Sequence, residues 1–238
     1  GFFYTGRSKS HFRKLLSVEK VITLQVTITL FVVGADAVDV GFKADAGIAK
    51  ATPEINVKAI TATAKDYNML TAAHAHGDEG MQRAILGGIK TIEHGTFMSE
   101  ETMEMMKKYD AYLVPTITAG KEVAEKAKIT GFYPEIVRPK ALEVGPQIQN
   151  TFAKAYNRGV KIAFGTDAGV FPHGLNAKEF GYMVEAGMPA KEAIQAATIT
   201  NAKLLGMENS LGQLKESFLA DIIAVDENPL QNIKTLEN

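Results

Sequence analysis

From residue 34 onward, short apolar runs alternate with amphipathic stretches of helical period, joined by brief connections. The apolar runs predict buried strands over 35–40, 70–74, 91–94, 111–117 and 161–167. The amphipathic stretches predict helices over 52–65, 78–86, 100–109, 137–157, 177–185 and 190–205. Residues 118–136 are predicted to form a long connection. Ser99 is predicted to cap the helix over 100–109. Strand–helix alternation of this kind is typical of a parallel sheet covered by helices.

The two ends of the chain depart from this rhythm. Residues 1–33 hold five basic side chains and one acid, and apolar residues alternate with Thr and Gln over 22–30, which predicts a half-buried strand. A signal peptide with a cleavage site at 35–37 is the alternative, although three Thr and a Gln interrupt its apolar part. Residues 221–226 predict a strand that opens a small C-terminal β element. The predicted domain division is therefore 1–33, 34–218 and 219–238.

Composition limits the chemistry. The 238 residues include 26 Lys and Arg against 27 Asp and Glu, a net charge of −1, without the basic excess of a nucleic-acid-binding protein. The absence of Cys excludes disulfides, a thiolate nucleophile and Cys-ligated metals. No segment has the about 20 apolar residues of a membrane-spanning helix. We therefore expect neither a nucleic acid nor a membrane as partner. A cytoplasmic location is favoured, and secretion is the alternative if the signal peptide is real.

Chemically versatile side chains follow the ends of three predicted strands. His74 and His94 end neighbouring strands 20 residues apart, and Asp167 ends another. In a (β/α) barrel the active site is built at the carboxyl ends of the strands, so these three residues predict a site for Zn²⁺ or a similar divalent ion. Taken singly, each has a plainer explanation as a hydrogen-bonded structural His or an Asp that caps a helix. Their shared position in three units favours the metal site.

Two other histidines each allow two interpretations. His76 lies two residues after His74 and shares its face if the strand continues, so both could bind one metal. If the strand ends at His74, His76 belongs to the loop and faces the substrate. His173 lies in a loop beyond the last predicted barrel strand, where it is either a substrate contact or a solvated turn residue.

Three motifs resemble those of the amidohydrolase superfamily. They are Ala72-Ala73-His74-Ala75-His76-Gly77, Thr91-Ile92-Glu93-His94-Gly95-Thr96 and Phe164-Gly165-Thr166-Asp167-Ala168-Gly169. Within the superfamily the chain resembles the imidazolonepropionase-related metal-dependent dipeptidases and carboxypeptidases, and residues 172–180 and 193–198 are similar to the zinc-dependent members that remove C-terminal Arg or Lys. The resemblance implies an α/β fold, a partial (β/α)8 TIM-like barrel in which strands four to eight are recognisable and the N-terminal part is lacking.

The resemblance also implies roles for individual residues. His74 and His94 would bind one metal, and Asp167 would bind a second and serve as general base, then acid, for a metal-activated water. His76 and His173 would line the substrate pocket. The implied cofactor is one or two divalent ions, Zn in particular, and the implied substrate is a dipeptide or another small molecule with an amide bond.

Two positions differ from the family pattern. A His-x-His pair expected at strand one is not found upstream, and Asp39 stands where a bridging Lys is expected and could itself coordinate a metal. Two alternatives to amide hydrolysis therefore stay open: deamination of a cyclic substrate, and a catalytically incompetent barrel portion that acts by binding or assembly. The exposed sheet edges of a partial barrel also predict a homo-oligomer.

Overall fold

The computed structural model describes residues 53–238, with side-chain environments from residue 57 onward. The basic segment 1–33, the strand predicted over 35–40 and the metal ligand predicted at Asp39 lie outside the described residues.

The described chain is a succession of strands and helices. In chain order the elements are α1 (Pro53–Asp66), β1 (Ala72–Ala75), α2 (Asp78–Leu86), β2 (Thr91–His94), α3 (Glu100–Lys108), β3 (Tyr112–Val114), α4 (Ile117–Ala127), α5 (Arg138–Asn157), β4 (Lys161–Ile162), α6 (Lys178–Glu185), α7 (Ala190–Gln195), a π-helical turn (Ala196–Thr200), α8 (Asn201–Leu204) and a 3-10 helix (Ile233–Glu237). The π-helical turn joins α7 to α8, so 190–204 is one continuous helical segment, close to the predicted helix 190–205. Ser99 caps α3 as predicted, because its hydroxyl accepts a hydrogen bond from the Thr102 amide.

The four strands form one parallel sheet in the order β1-β2-β3-β4. In its register Ala73, Ile92, Leu113 and Ile162 stand side by side, and this face packs on buried side chains of the surrounding helices, namely Met81, Ile85, Met103, Met106, Ile148 and Phe152. Because side chains alternate along a strand, the opposite face carries His74 beside Glu93. This sheet agrees with the predicted barrel portion.

The prediction of a long connection over 118–136 is wrong for its first half, where α4 lies. Thr and Gly are weak helix formers, and packing outweighs that preference here. A Cβ added at Gly120 would lie 2.7 Å from Cγ2 of Ile148 on α5, and one at Gly145 would lie 2.9 Å from the Cβ of Ala124. The two glycines therefore let α4 and α5 approach closely, a contact between segments distant in sequence.

The strand predicted over 161–167 forms ladder pairs only at Lys161 and Ile162. Beyond them a side chain takes the place of a neighbouring strand: the Asn201 amide nitrogen donates to the Phe164 carbonyl over 2.9 Å, and the Phe164 amide donates to Asn201 Oδ1 over 3.1 Å. This pairing ties the segment that leads to Asp167 to the start of α8.

Residues 221–225, part of the predicted C-terminal strand, form no sheet pairing within 53–238. A strand requires the hydrogen bonds of a neighbour, and the described residues supply none for this segment. The predicted boundaries at 33 and 218 stay predictions. Among the helices of residues 53–238, none has the length and apolar character needed to cross a membrane.

Candidate metal centre

Three imidazoles meet at the carboxyl end of β1 and β2. His74 lies on the face of β1 opposite the helix-covered one, and His76 follows the strand directly. The ring centroid of His74 is 4.7 Å from that of His76 and 4.5 Å from that of His94, and the His76 and His94 rings stack at 4.9 Å. One nitrogen from each of the three rings lies within 4.8 Å of the other two. The structure thus brings His76 into the same cluster as His74 and His94.

A left-handed backbone conformation directs the side chain of His94 into this cluster. By register His94 is opposite Ala75, whose side chain belongs to the helix-covered face. At φ 71° for His94 and φ 62° for Gly95 the chain turns out of the strand, and Nε2 of His94 lies 2.8 Å from Nδ1 of His74. A Cβ at Gly95 would lie 2.6 Å from Cδ1 of Leu113. Only glycine adopts this positive φ without strain and also has no Cβ to collide with Leu113 at position 95.

Two threonine hydroxyls hold two of the rings. Nδ1 of His94 lies 2.6 Å from Oγ1 of Thr116, and Nδ1 of His76 lies 2.7 Å from Oγ1 of Thr96. An Nδ1–H that donates to the hydroxyl puts the lone pair on Nε2, which for His94 lies against Nδ1 of His74. Metal-binding histidines use this arrangement, in which a partner behind the ring fixes its tautomer and orientation.

Burial keeps the three imidazoles uncharged at neutral pH. Loss of hydration lowers the pKa of His74, and lowers that of His94 well below its usual range with help from the two neighbouring histidines. The pKa of His76 falls to about 4, first through burial and then through the charges of His74 and Lys140. Neutral imidazole is the form that binds a metal, so no proton has to be removed before an ion binds.

The donor set fits a divalent ion such as Zn²⁺. Two nitrogens bound at about 2.0–2.1 Å in tetrahedral geometry would be about 3.3 Å apart. The 2.8 Å between His74 Nδ1 and His94 Nε2 therefore needs to widen only slightly. The set consists of nitrogen donors alone, which suits zinc and other late divalent metals better than Mg²⁺ or Ca²⁺.

Asp167 follows β4, at the carboxyl end of the same sheet, and lies outside the three-histidine cluster. It is exposed, it also has a left-handed backbone with φ 56°, and partial loss of hydration raises its pKa. Its charge acts on Glu93, whose pKa rises to about 7 mainly through burial, against the lowering effect of a hydrogen bond from Thr91. Glu93 itself lies on the same face of the sheet as His74.

His173, the other predicted pocket residue, is exposed in the loop between Asp167 and α6. The structure places it outside the histidine cluster.

Sequence reasoning missed Thr96, Thr116 and Glu93. A signal for the threonines existed: Thr96 follows His76 by 20 residues and Thr116 follows His94 by 22, close to the 20 that separate the first two strand-end histidines. One strand–helix unit thus separates each ring from the hydroxyl that holds it. Glu93 is identifiable only through the register that sets it beside His74.

Comparison with known proteins places these residues in a broader context. The sequence profile described as "Amidohydrolase family" matches residues 13–238. A solved Xaa-Pro dipeptidase with methionine bound in its active site is 60% identical, with a TM-score of 0.76 over 78% of this chain and 46% of that one. A prolidase structure with N-methylphosphonate-L-proline is 28% identical, with a TM-score of 0.70 over 78% of this chain and 45% of that one.

A curated relative gives a similar result. Ochratoxinase of Aspergillus niger is 35% identical over 191 residues, which are 79% of this chain and 39% of the relative. The chain thus spans less than half the length of the relatives it matches.

Proposed function

Because this chain belongs to the amidohydrolase family, we propose that it takes part in the metal-dependent hydrolysis of an amide bond in a dipeptide or a similarly small acylated amino acid. The observation that carries the proposal is the cluster of three imidazoles at the carboxyl ends of two parallel strands. This is the end of a (β/α) barrel at which active sites are built.

His74, His76 and His94 are the residues proposed to hold the ion, with Zn²⁺ favoured by their nitrogen donors. This assignment gives His76 a ligand role in place of the pocket role implied by the sequence resemblance. When bound, the ion would lower the pKa of water and polarise the amide carbonyl. Asp39 is a further candidate ligand, proposed from the sequence alone.

Asp167 is the proposed general base. Its carboxylate would take the proton from the attacking water and then deliver it to the amine that leaves. Two features support this assignment: its position after β4 at the carboxyl end of the sheet, the end that carries the histidines, and partial dehydration, which raises its pKa toward the range in which a carboxylate can both accept and return a proton.

The relatives favour small peptide-like substrates over cyclic substrates of deamination. Two of the solved structures are a Xaa-Pro dipeptidase and a prolidase, so Xaa-Pro dipeptides are the first substrates to test. His173, in the exposed loop after Asp167, is proposed to contact the substrate at the edge of the site.

The test is metal-dependent dipeptide hydrolysis. The purified chain is stripped of metal with a chelator, reloaded with one equivalent of Zn²⁺, and assayed for amino-acid release from a panel of Xaa-Pro and other dipeptides. We expect hydrolysis that is absent after chelation and restored by zinc, with His94→Ala inactive. A chain that binds zinc one-to-one but hydrolyses no member of the panel would contradict the proposal, and so would hydrolysis that survives complete removal of metal.

A further inference from the structure

Helix α4 begins with an unusual N-terminus. Its N-cap residue, Thr116, has a left-handed backbone with φ 51° and makes no capping hydrogen bond with its side chain. An N-cap threonine ordinarily has extended backbone angles and accepts a hydrogen bond from the first turn of its helix. Here the Thr116 hydroxyl is bonded to Nδ1 of His94 instead. The first amide groups of α4 therefore need another acceptor.

Glu179 supplies that acceptor from α6. Its Oε1 accepts from the Ile117 amide over 2.7 Å, and its Oε2 accepts from the Thr118 amide over 2.7 Å and the Thr118 hydroxyl over 2.6 Å. The Glu179 side chain is completely buried. Burial raises the pKa of Glu179 to about 7, and the three donors and the helix dipole act against this effect by favouring the ionised carboxylate.

Contacts connect Glu179 to His74 through Thr116 and His94, and of these residues all but the half-buried His74 are buried. Glu179 fixes the two residues that follow Thr116, the Thr116 hydroxyl contacts Nδ1 of His94, and Nε2 of His94 lies against His74. Thr116 is 2% exposed and His94 is 9% exposed, so water cannot readily replace either partner. A left-handed conformation is unfavourable for a β-branched residue and persists only where the surroundings enforce it.

We propose that Glu179 is a positioning residue for the metal centre: by capping α4 in place of Thr116, it holds the Thr116 hydroxyl behind His94 and so sets the tautomer and direction of that imidazole. This role rests on the proposed metal site. Through this role α6, although distant from the histidines in sequence, helps to orient them for metal binding. Partners behind a ligating histidine commonly change metal affinity 10- to 100-fold when removed.

The test compares variants along this connection. Thr116→Val removes the hydroxyl, and Glu179→Gln replaces one acceptor oxygen by an amide nitrogen that faces backbone donors. Ser99→Ala is the matched control: it removes the N-cap of α3, and neither hydrogen bond of the Ser99 hydroxyl, both made with Thr102, reaches a histidine. The dissociation constant for Zn²⁺ is measured by competition with a chromophoric chelator, alongside urea unfolding.

We expect each of the first two variants to weaken zinc binding about tenfold or more and Ser99→Ala to leave it unchanged. The double variant Thr116→Val/Glu179→Gln should bind zinc no more weakly than Thr116→Val alone, because Glu179 acts through Thr116. Unchanged zinc affinity in Glu179→Gln, or losses that multiply in the double variant, would overturn the proposal.

A second measurement does not depend on zinc. The nitrogen-15 shifts of His94 in the metal-free protein should report a proton on Nδ1 in the wild type and a mixture of tautomers in Glu179→Gln. If that variant does not fold, Thr118→Val, which removes one of the three donors to Glu179, takes its place, and an unchanged tautomer there contradicts the role. If the wild type binds no zinc, the proposed metal site fails, while the tautomer result still decides the role of Glu179.

Discussion

Nδ1 of His76 lies 2.7 Å from the hydroxyl oxygen of Thr96, and Thr96 is fully buried. Backbone contacts join the same two segments, since the Phe97 amide donates to the His76 carbonyl over 3.0 Å. The loop after β2 therefore orients the ring that follows β1. The hydroxyl of Thr116 contacts Nδ1 of His94 in the same way, one strand further along the sheet.

This relationship leads to a prediction for Thr96→Val. The substitution preserves the shape of the side chain but leaves Nδ1 of His76 without its hydrogen-bond partner. We expect zinc affinity to fall about 10- to 100-fold in chelator competition. Thr96→Ser, which keeps the hydroxyl, should stay close to the wild type. Equal affinities for the valine and serine variants would show that the hydroxyl does not support the ligand.

The lowered pKa of His76 predicts a pH dependence of stability. In the folded chain this pKa is about 4, against a usual value of 6.5, so the unfolded chain takes up the proton first as the pH falls. The folded state therefore has its full stability with respect to His76 above pH 6.5. As the pH falls from 6.5 to 4, protonation of His76 in the unfolded chain lowers the free energy of unfolding by up to about 3 kcal/mol in total. The buried Glu93 and Glu179, with pKa values raised to about 7, act in the opposite direction between pH 4.5 and 7.

Because of these opposing groups, the measurement is a comparison of variants. Urea unfolding of metal-free protein is followed from pH 8 to pH 4.5 for the wild type and for His76→Asn. The wild type should lose more stability than the variant over this interval. The exposed His173→Asn serves as control and should parallel the wild type. Identical pH profiles for the wild type and His76→Asn would rule out a buried neutral imidazole at position 76.

Gly95→Ala is predicted to destabilise the fold and the site together. An alanine there would need φ near 62° and would place its Cβ 2.6 Å from Leu113 Cδ1. The backbone conformation costs about 1–2 kcal/mol and the overlap adds about 1–3 kcal/mol. Gly131→Ala isolates the first cost, because φ is 81° and nothing lies within 4 Å of the new Cβ. Urea unfolding should show the larger loss at position 95, and equal losses at both positions would refute the packing argument.

Asp167→Asn tests the general base. The amide keeps the size and tolerates the left-handed backbone but cannot take a proton at neutral pH. We expect kcat for dipeptide hydrolysis to fall at least 100-fold, with zinc still bound at the three histidines. Asp110→Asn is the control, since Asp110 has the same φ of 56° but lies before β3, at the opposite end of the sheet, bonded to Lys90 and Lys161. Comparable kcat values for the two variants would exclude Asp167 as the base.

Periodicity along the chain was enough to predict most of the elements. The amphipathic helices at 53–66, 78–86 and 138–157 and the apolar strands around His74 and His94 follow from local patterns, because burying one face of a segment depends on the spacing of its own residues. The same spacing indicated that the two histidines would meet at one end of the sheet.

The remaining features depend on contacts between distant segments. Helix α4 exists because glycines allow it to pack against α5, and its cap comes from Glu179, 62 residues after Ile117. The left-handed conformations of His94, Thr116 and Asp167 are not marked by glycine, the residue that most often signals them. The sequence by itself therefore determined which residues stand at the strand ends. Only the tertiary structure decided how they turn toward one another, because left-handed backbone conformations and the buried hydrogen bonds beside them are stable only when packing on all sides enforces them.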